Sequence, residues 1–412
     1  MKYALIGSKL GHSLSPRIHA ALGGYPYELH ELEPQELADF IRHGDYRGLN
    51  VTIPYKTAVI EHCDELSAVA RRCRSVNTIV RREDGSVFGG NSDYFGFLAL
   101  LHQSGLTARG KKVLILGDGG AARTSAAALC DEGARDVVCA SRSGSVRFGA
   151  LAAHRDSELI VNATPAGMFP QNGARLLDLR NFPHCTGVLD LIYNPLTTGL
   201  LFDAQAAGLP CANGLYMLIE QARHSARLFT GRNIPRRRTD ELYRRLRPEL
   251  LNIVLVGMPG SGKTTLAKII AQKTGRTLRD SDRILSEKHG LRAGELLTHV
   301  GEKRFRELEA EVIAAIGAET GCVIATGGGA VTNAANYEAL RQNSIVFFID
   351  KNHRRLARKN RPLSQDPRAL AAMAKERRPL YLHFCDEIIP AHGTLQQIAQ
   401  AILQAFAERS QA

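Results

Sequence analysis

Short apolar runs alternate with segments of helical pattern along this chain. Tyr3-Ala4-Leu5-Ile6 is the first run, broken by Gly7, and Gly48 to Ile53 is another, ended by Pro54. Val113-Leu114-Ile115-Leu116 leads directly into Gly117-Asp118-Gly119-Gly120, and an Ala-rich helical stretch follows from Thr124 to Leu129. Val137 to Ala140, Leu159 to Asn162 and Gly187 to Ile192 continue the series. Apolar runs of this length, punctuated by glycine or proline and separated by helical patterns, predict the strands of an α/β fold. The series breaks at an arginine-rich stretch and Arg247-Pro248. Ile253 to Val256 then opens a new α/β unit with its own glycine-rich loop, and Cys322 to Ala325 is a further strand in it. The two loops begin about 140 residues apart, which predicts two nucleotide-binding domains.

Length agrees with that division, since 412 residues exceed what one hydrophobic core usually organises. Apolar residues at 44% and charged residues at 23% argue against global disorder. No apolar run approaches the roughly 18 residues of a membrane span, so no membrane partner is expected. Lys2 and Lys9 flank a short apolar run without a cleavage site, which does not read as a signal peptide. Cys63, Cys73, Cys130, Cys139, Cys185, Cys211, Cys322 and Cys385 are scattered, with no C-x-x-C pair. They read as reduced thiols of a cytoplasmic protein rather than as a zinc or disulfide framework.

The net charge of +12 attracts anions without specifying which. Arg236, Arg237, Arg238, Arg244, Arg245 and Arg247 form one basic cluster. Lys351, Arg354, Arg355, Arg358, Lys359 and Arg361 form another. Neither is interleaved with aromatics, as single-strand stacking surfaces are, so no nucleic-acid partner is expected. The first reads as a solvated helix face or linker. Nothing in the sequence specifies an oligomeric state.

Gly117-Asp118-Gly119-Gly120-Ala121-Ala122 fits G-x-G-x-x-A between a strand and a helix, a setting in which backbone and helix N-terminus meet a pyrophosphate. The next strand ends in Ser141-Arg142-Ser143 rather than in an acidic residue. A guanidinium flanked by hydroxyls suits an adenosine 2′-phosphate, which predicts NADP(H) over NAD(H). Asp118 is unexpected there, because a carboxylate beside a pyrophosphate repels it unless it points away.

Several further segments accompany this loop: Ser13-Leu14-Ser15-Pro16, Asn50 to Lys56, Ser75-Val76-Asn77-Thr78, Asn91-Ser92-Asp93, Asn162 to Gly167, Tyr193-Asn194-Pro195 and Asn213 to Ala222. In this order they resemble shikimate dehydrogenase over about residues 1–245. The resemblance implies NADPH-dependent, reversible reduction of 3-dehydroshikimate to shikimate. It implies a substrate domain at 1–100, completed by helices at about 213–247, and a Rossmann-type NADP domain at 101–212. By motif, Ser13 and Ser15 would bind the substrate carboxylate. Thr52, Asn77, Tyr193 and Gln221 would hold it or its ring hydroxyls, and Lys56 and Asp93 would be the catalytic pair. Gly117, Gly119, Gly120, Ala121, Ser141, Arg142, Ser143, Leu191 and Gly214 would meet the cofactor. An ammonium can stabilise a developing alkoxide and protonate it while a carboxylate orients the ammonium. This chain departs from the family at Ser92-Asp93-Tyr94, where Thr-Asp-Gly is usual, and at Asp118, where a small residue is usual. Those departures bear on loop geometry and NADP affinity.

Gly257-Met258-Pro259-Gly260-Ser261-Gly262-Lys263-Thr264-Thr265 matches G-x-x-x-x-G-K-[ST] in full, between a strand and a helix. Its backbone would cradle phosphates, Lys263 would reach the β/γ-phosphates and Thr264 would ligate Mg²⁺. Asp280-Ser281-Asp282 follows at a strand end. Gly301-Glu302 to Glu309 has helical spacing that puts Phe305 and Glu309 on one face and Arg306 on a neighbouring one. Thr326-Gly327-Gly328-Gly329, Arg361-Pro362-Leu363 and Glu376 to Tyr381 complete the set. The order resembles shikimate kinase over residues 250–412, which implies transfer of the ATP γ-phosphoryl group to the 3-hydroxyl of shikimate. Arg306 and Arg377 would clamp the substrate carboxylate, as planar bidentate donors do. Gly328 would let backbone approach the ring. Asp282 would orient or deprotonate the attacking hydroxyl, and Asp280 would support Mg²⁺. Gly260, Ser261, Gly262, Lys263, Thr264 and Thr265 would hold ATP, and Arg361 would sit on a lid formed by the second basic cluster. Ser364 stands where the family often has Leu, a difference that bears on lid packing.

The expected fold is α/β: a two-domain dehydrogenase-like unit with a Rossmann-type NADP domain, then a P-loop kinase domain with a parallel sheet. The expected function is bifunctional, with the product of one site as the substrate of the other. The rival readings are a regulatory pseudoenzyme sensing the same metabolites, a nucleic-acid-dependent ATPase, and an NAD-using quinate dehydrogenase in the first half.

Overall fold

The computed structural model describes residues 2–11, 13–352, 354, 356 and 367–411. Arg355, Arg358, Lys359, Arg361, Pro362, Leu363 and Ser364, singled out in the sequence, lie outside the described residues. The chain divides into two units, Met1–Tyr243 and Arg244–Ala412, with the division inside the arginine-rich stretch.

The first unit holds two sheets. One contains β1 (Tyr3–Gly7), β2 (Glu28–Glu31), β3 (Gly48–Val51), β4 (Glu65–Leu66), β5 (Thr78–Arg81) and β6 (Val87–Gly90), in the order β2-β1-β3-β5-β6-β4. It is mixed. β1 runs parallel to β2 and β3, whereas β5 is antiparallel to β3 and β6. The other contains β7 (Lys112–Leu116), β8 (Asp136–Ser141), β9 (Val146–Arg147), β10 (Leu159–Asn162), β11 (Val188–Asp190) and β12 (Cys211–Ala212). Its order is β12-β11-β10-β7-β8-β9 and every pairing is parallel.

Burial on both faces explains the unbroken apolar runs in this second sheet. Val113, Ile115, Leu159 and Val161 enter one core, while Leu114, Leu116 and Ile160 enter another. The two-residue period of a strand thus serves two hydrophobic layers. Helix Asp93–Gln103 carries Phe97, Leu100 and Leu101 into the first of these cores, where helix Leu215–Thr230 adds Tyr216 and Met217. These two helices thereby hold Asp93 and Gln221 in a fixed relation.

The second unit is built on β13 (Asn252–Val256), β14 (Thr277–Asp280), β15 (Cys322–Ala325), β16 (Ser344–Asp350) and β17 (Glu387–Pro390). The sheet order is β14-β15-β13-β16-β17, again parallel throughout. Val254, Val256, Ile324, Val346 and Phe348 face a core completed by Phe305, Leu308 and Val312 from the helical segment Ala293–Ala318. Gly301, at φ 79° and ψ 162°, breaks that segment in two, so Phe305, Arg306 and Glu309 belong to its second helix. The architecture is α/β, a Rossmann-like domain plus a parallel-sheet P-loop domain.

Candidate active sites

In the first unit, parallel strands β1 and β3 end on the same edge, with Ile6 opposite Val51. The loop after β1 carries Ser13 and the helix Ser15–Gly23 that follows starts with Ser15; their hydroxyls lie 3.1 Å apart, and the Ser15 N–H donates to Ser13 Oγ at 3.2 Å. The turn after β3 carries Thr52 and Lys56. Thr52 donates its N–H to the Ile6 carbonyl, and Tyr55 anchors the turn by donating its hydroxyl to the Leu32 carbonyl at 2.5 Å. Val76 N–H donates to the Lys56 carbonyl at 2.8 Å. From this braced backbone the Lys56 ammonium reaches Asp93 Oδ2 at 2.6 Å, with the two side chains only 19% and 9% exposed. Asp93 is the first residue of helix Asp93–Gln103, where the helix dipole favours a negative charge.

Behind this pair lies a buried polar network centred on Ser92. Asn77 Oδ1 accepts the Ser92 N–H at 2.7 Å, and Asn77 Nδ2 donates to Ser92 Oγ at 2.9 Å. Thr78 donates its hydroxyl to Ser92 Oγ at 3.0 Å, and Ser92 Oγ lies 3.2 Å from Gln221 Oε1 and 2.9 Å from Ser225 Oγ. Asn77 and Gln221, expected to hold substrate, therefore meet on one hydroxyl. Ser225 carries no motif, and only the tertiary fold brings it here. Tyr193 is half-buried in the turn after β11, and burial raises its phenol above the ordinary range.

The first nucleotide loop leaves β7. Gly117, buried at φ 122°, turns the backbone into helix Gly120–Asp131, with Ala121 in its first turn. Neighbouring β8 ends in Ser141, and Arg142 and Ser143 follow as exposed residues. Asp118 reaches the end of β8: its Oδ2 accepts the Ser141 hydroxyl at 2.7 Å. Gly214 donates its N–H to the Ile192 carbonyl at 2.9 Å, next to Leu191. The glycine turn, the helix N-terminus and an exposed guanidinium beside two hydroxyls fit a phosphorylated dinucleotide. Arg123 belongs to no motif. Its guanidinium donates to the carbonyls of Cys73, Arg74 and Asp118 and to Thr57 Oγ1, tying the loop to the segment that bears Lys56. Tyr94, the other departure, donates its hydroxyl to Asp131 at the end of the same helix.

In the second unit the P-loop joins β13 to helix Lys263–Thr274. Buried Lys263 donates to the carbonyls of Gly257 and Met258 at 2.7 and 3.0 Å. Gly260 and Gly262 have positive φ, the Ser261 hydroxyl is buried without a partner, and Thr265 is exposed. Thr264 donates its hydroxyl to Asp280 Oδ2 at 2.8 Å, while Asp280 Oδ1 accepts the Arg283 N–H and caps helix Ser281–His289. A glycine loop, a lysine, an orphaned hydroxyl and one Thr–Asp oxygen pair fit a nucleotide with Mg²⁺, which keeps most of its ligands as water and phosphate. Among the described residues no group of three or more His, Cys, Asp or Glu could hold a metal, and no helix is long and apolar enough to cross a membrane.

Opposite the P-loop stands Thr326 to Gly329, and each glycine there is pressed by a different neighbour. A Cβ at position 327 would lie 2.6 Å from both Asp282 Oδ1 and Glu309 Oε1. At 328 it would meet Pro259, and at 329 it would lie 2.2 Å from Arg306 Nη1. Arg306 donates to Glu309 Oε2 at 2.7 Å, and burial raises the Glu309 carboxyl above its ordinary range against the pull of Arg306. Arg377 and Tyr381 both donate to the Gly328 carbonyl, at 3.2 and 2.5 Å. The Nε atoms of Arg306 and Arg377 are buried and without partners. Two guanidiniums, two carboxylates and the P-loop thus converge on one three-residue turn. Arg361 lies outside the described residues.

Residues 259–407 match the shikimate kinase family, and residues 5–79 match the shikimate dehydrogenase substrate binding domain. An NADP(+) shikimate dehydrogenase from Clostridium perfringens is 31% identical over 267 residues, which are 60% of this chain and 98% of that protein. The crystal structure of shikimate dehydrogenase 1 from Peptoclostridium difficile superposes with a TM-score of 0.56 at 30% identity, covering 60% of this chain and 98% of that one. Shikimate 5-dehydrogenase from Thermus thermophilus, solved with NADP(H) and shikimate, does so with a TM-score of 0.54 at 33% identity, covering 60% and 99%. The chain therefore belongs to the shikimate dehydrogenase family through its N-terminal unit and carries a shikimate-kinase-like domain fused behind it.

Proposed function

We propose that the chain is a bifunctional enzyme. It reduces 3-dehydroshikimate to shikimate with NADPH, then phosphorylates shikimate to shikimate 3-phosphate with ATP and Mg²⁺. The observation that carries the first half is the Lys56–Asp93 contact at 2.6 Å on the edge that also bears Ser13, Ser15 and Thr52. NADPH would supply the hydride that reaches the carbonyl carbon. Lys56 would stabilise the negative charge growing on the carbonyl oxygen and deliver its proton there, with Asp93 aiming the ammonium. Ser13 and Ser15 would hold the carboxylate. Thr52, Asn77, Tyr193 and Gln221 would fix the ring.

In the kinase unit ATP with Mg²⁺ would supply the transferred phosphoryl group, and Thr264 and Asp280 would hold the metal. Lys263 would bind the β/γ-phosphates. Asp282 would orient the attacking hydroxyl and take its proton. Arg306 and Arg377, each with an orphaned Nε, would hold the shikimate carboxylate. Arg361 would neutralise transferring charge from a lid. The functional division is 1–100 with 213–247, 101–212 and 250–412. All eight cysteines are free thiols, which suits the reducing cytoplasm where this reading places the chain.

The test is product identification by mass spectrometry after the full chain is incubated with 3-dehydroshikimate, NADPH and Mg-ATP. Shikimate 3-phosphate formed only when both nucleotides are present supports the reading. Substrate left unreduced and ATP left intact contradict it.

A further inference from the structure

The Asp118 carboxylate sits where a dinucleotide fold distinguishes its two cofactors. In such folds an acidic residue at the end of the second strand accepts the ribose 2′-hydroxyl of NAD, whereas an arginine nearby accommodates the 2′-phosphate of NADP. Here β8 is that second strand, and it ends in Ser141 followed by exposed Arg142. No acid stands at that end of the strand, Asp136 being its first residue. One is delivered from the glycine loop instead: Asp118 Oδ2 accepts the Ser141 hydroxyl at 2.7 Å. Ser141 Oγ in turn accepts the N–H groups of Gly144 and Ser143 at 2.7 and 3.3 Å. The hydroxyl hydrogen is therefore committed to Asp118, and the carboxylate is held at the strand end. The Asp118 backbone is held too, because its carbonyl accepts from Arg123 Nη1 at 3.0 Å.

We infer that Asp118 is a specificity-determining residue that weakens discrimination against NAD(H). This rests on the dehydrogenase reading of the first unit. Its carboxylate repels a 2′-phosphate and accepts a hydrogen bond from a 2′-hydroxyl, while Arg142 does the reverse. The 2′ corner thus carries opposed charges, and the chain binds both dinucleotides with a selectivity narrower than Arg142 alone would set. Any bare carboxylate near a 2′-phosphate opposes it; the Ser141 bond is what keeps this one from swinging away.

The experiment is calorimetric titration of NADP⁺ and of NAD⁺ into the full chain, its Asp118→Asn variant and its Asp118→Ala variant, at low and at high salt. Asparagine keeps an acceptor for Ser141 and removes the charge. The expected result is that both variants raise the ratio of the NAD⁺ to the NADP⁺ dissociation constant about tenfold at low salt, and less at high salt. An unchanged or lowered ratio overturns the inference, as does an equal loss for both dinucleotides in Asp118→Ala, which marks Asp118 as a brace for Ser141 alone. A wild-type chain that binds neither dinucleotide overturns the dehydrogenase reading and this inference with it.

Discussion

The Lys56 ammonium lies 2.6 Å from the Asp93 carboxylate, and the two arrive from different elements, one from the turn after β3 and the other from a helix N-terminus. Both backbones are pinned, so the pair is preorganised rather than assembled by substrate. Lys56→Ala is expected to lower kcat for 3-dehydroshikimate reduction by about a thousandfold, the loss of a positioned acid and charge stabiliser. The same variant should phosphorylate shikimate at the wild-type rate. Steady-state kinetics with each substrate checks both halves.

Ser92 is the hub that aligns Asn77 and Gln221 beside that pair. Ser92→Ala leaves buried donors and acceptors on Asn77, Thr78 and Ser225 short of a partner, at about 1–3 kcal/mol. The urea midpoint of the first unit should fall, and the KM for 3-dehydroshikimate should rise more than kcat drops. A variant with wild-type stability would mean that water replaces the hydroxyl.

Gly329 tests the other site. A methyl group there would stand 2.2 Å from Arg306 Nη1, so the guanidinium must leave its place beside Glu309. Gly329→Ala should raise the kinase KM for shikimate about a hundredfold, the scale expected for an ångström of misplacement, and leave NADPH oxidation unchanged. Unaltered kinase kinetics would mean that Arg306 does not bind substrate.

Asp190 gives the first unit a pH signature. It is fully buried at the end of β11 and accepts from Asn162, Thr198 and the Ile192 N–H, yet burial pushes its carboxyl from 3.8 up to about 6. A folded-state pKa above the unfolded one favours the protonated native form. That contribution is complete below about pH 4 and is lost as pH rises through about 6. Asp190→Asn removes the ionisation, so relative to wild type the variant should gain about 2 kcal/mol between pH 4 and pH 7.5. Urea melts across that interval read it, and a difference constant with pH would refute the assignment.

Much of this was legible in the sequence. The runs at Val113, Leu159, Ile253 and Cys322 are strands because full burial leaves no polar face to interrupt them, and the two glycine loops stand where strand meets helix. Pairings across long sequence separations were not legible. Ser225 enters the Ser92 network only because helix Leu215–Thr230 packs on helix Asp93–Gln103, and Arg123 spans two segments with no spacing signal. Gly328 was legible as a place for backbone to approach the ring, but the different neighbour that presses on each of Gly327, Gly328 and Gly329 was not. Asp118 was unexpected in the loop, and no spacing signal shows that the Ser141 hydroxyl holds it at the strand end.

Two chemically separate sites on one chain are tested by recording NADPH oxidation and ADP formation together, from 3-dehydroshikimate and Mg-ATP, in wild type, Lys56→Ala and Lys263→Ala. Wild type should give both signals. Lys263→Ala should keep NADPH oxidation and lose ADP, and Lys56→Ala should lose both from 3-dehydroshikimate but regain ADP when shikimate is added. ADP formation by Lys56→Ala that stays absent with added shikimate, or NADPH oxidation lost in Lys263→Ala, would mean that the two sites are not separate.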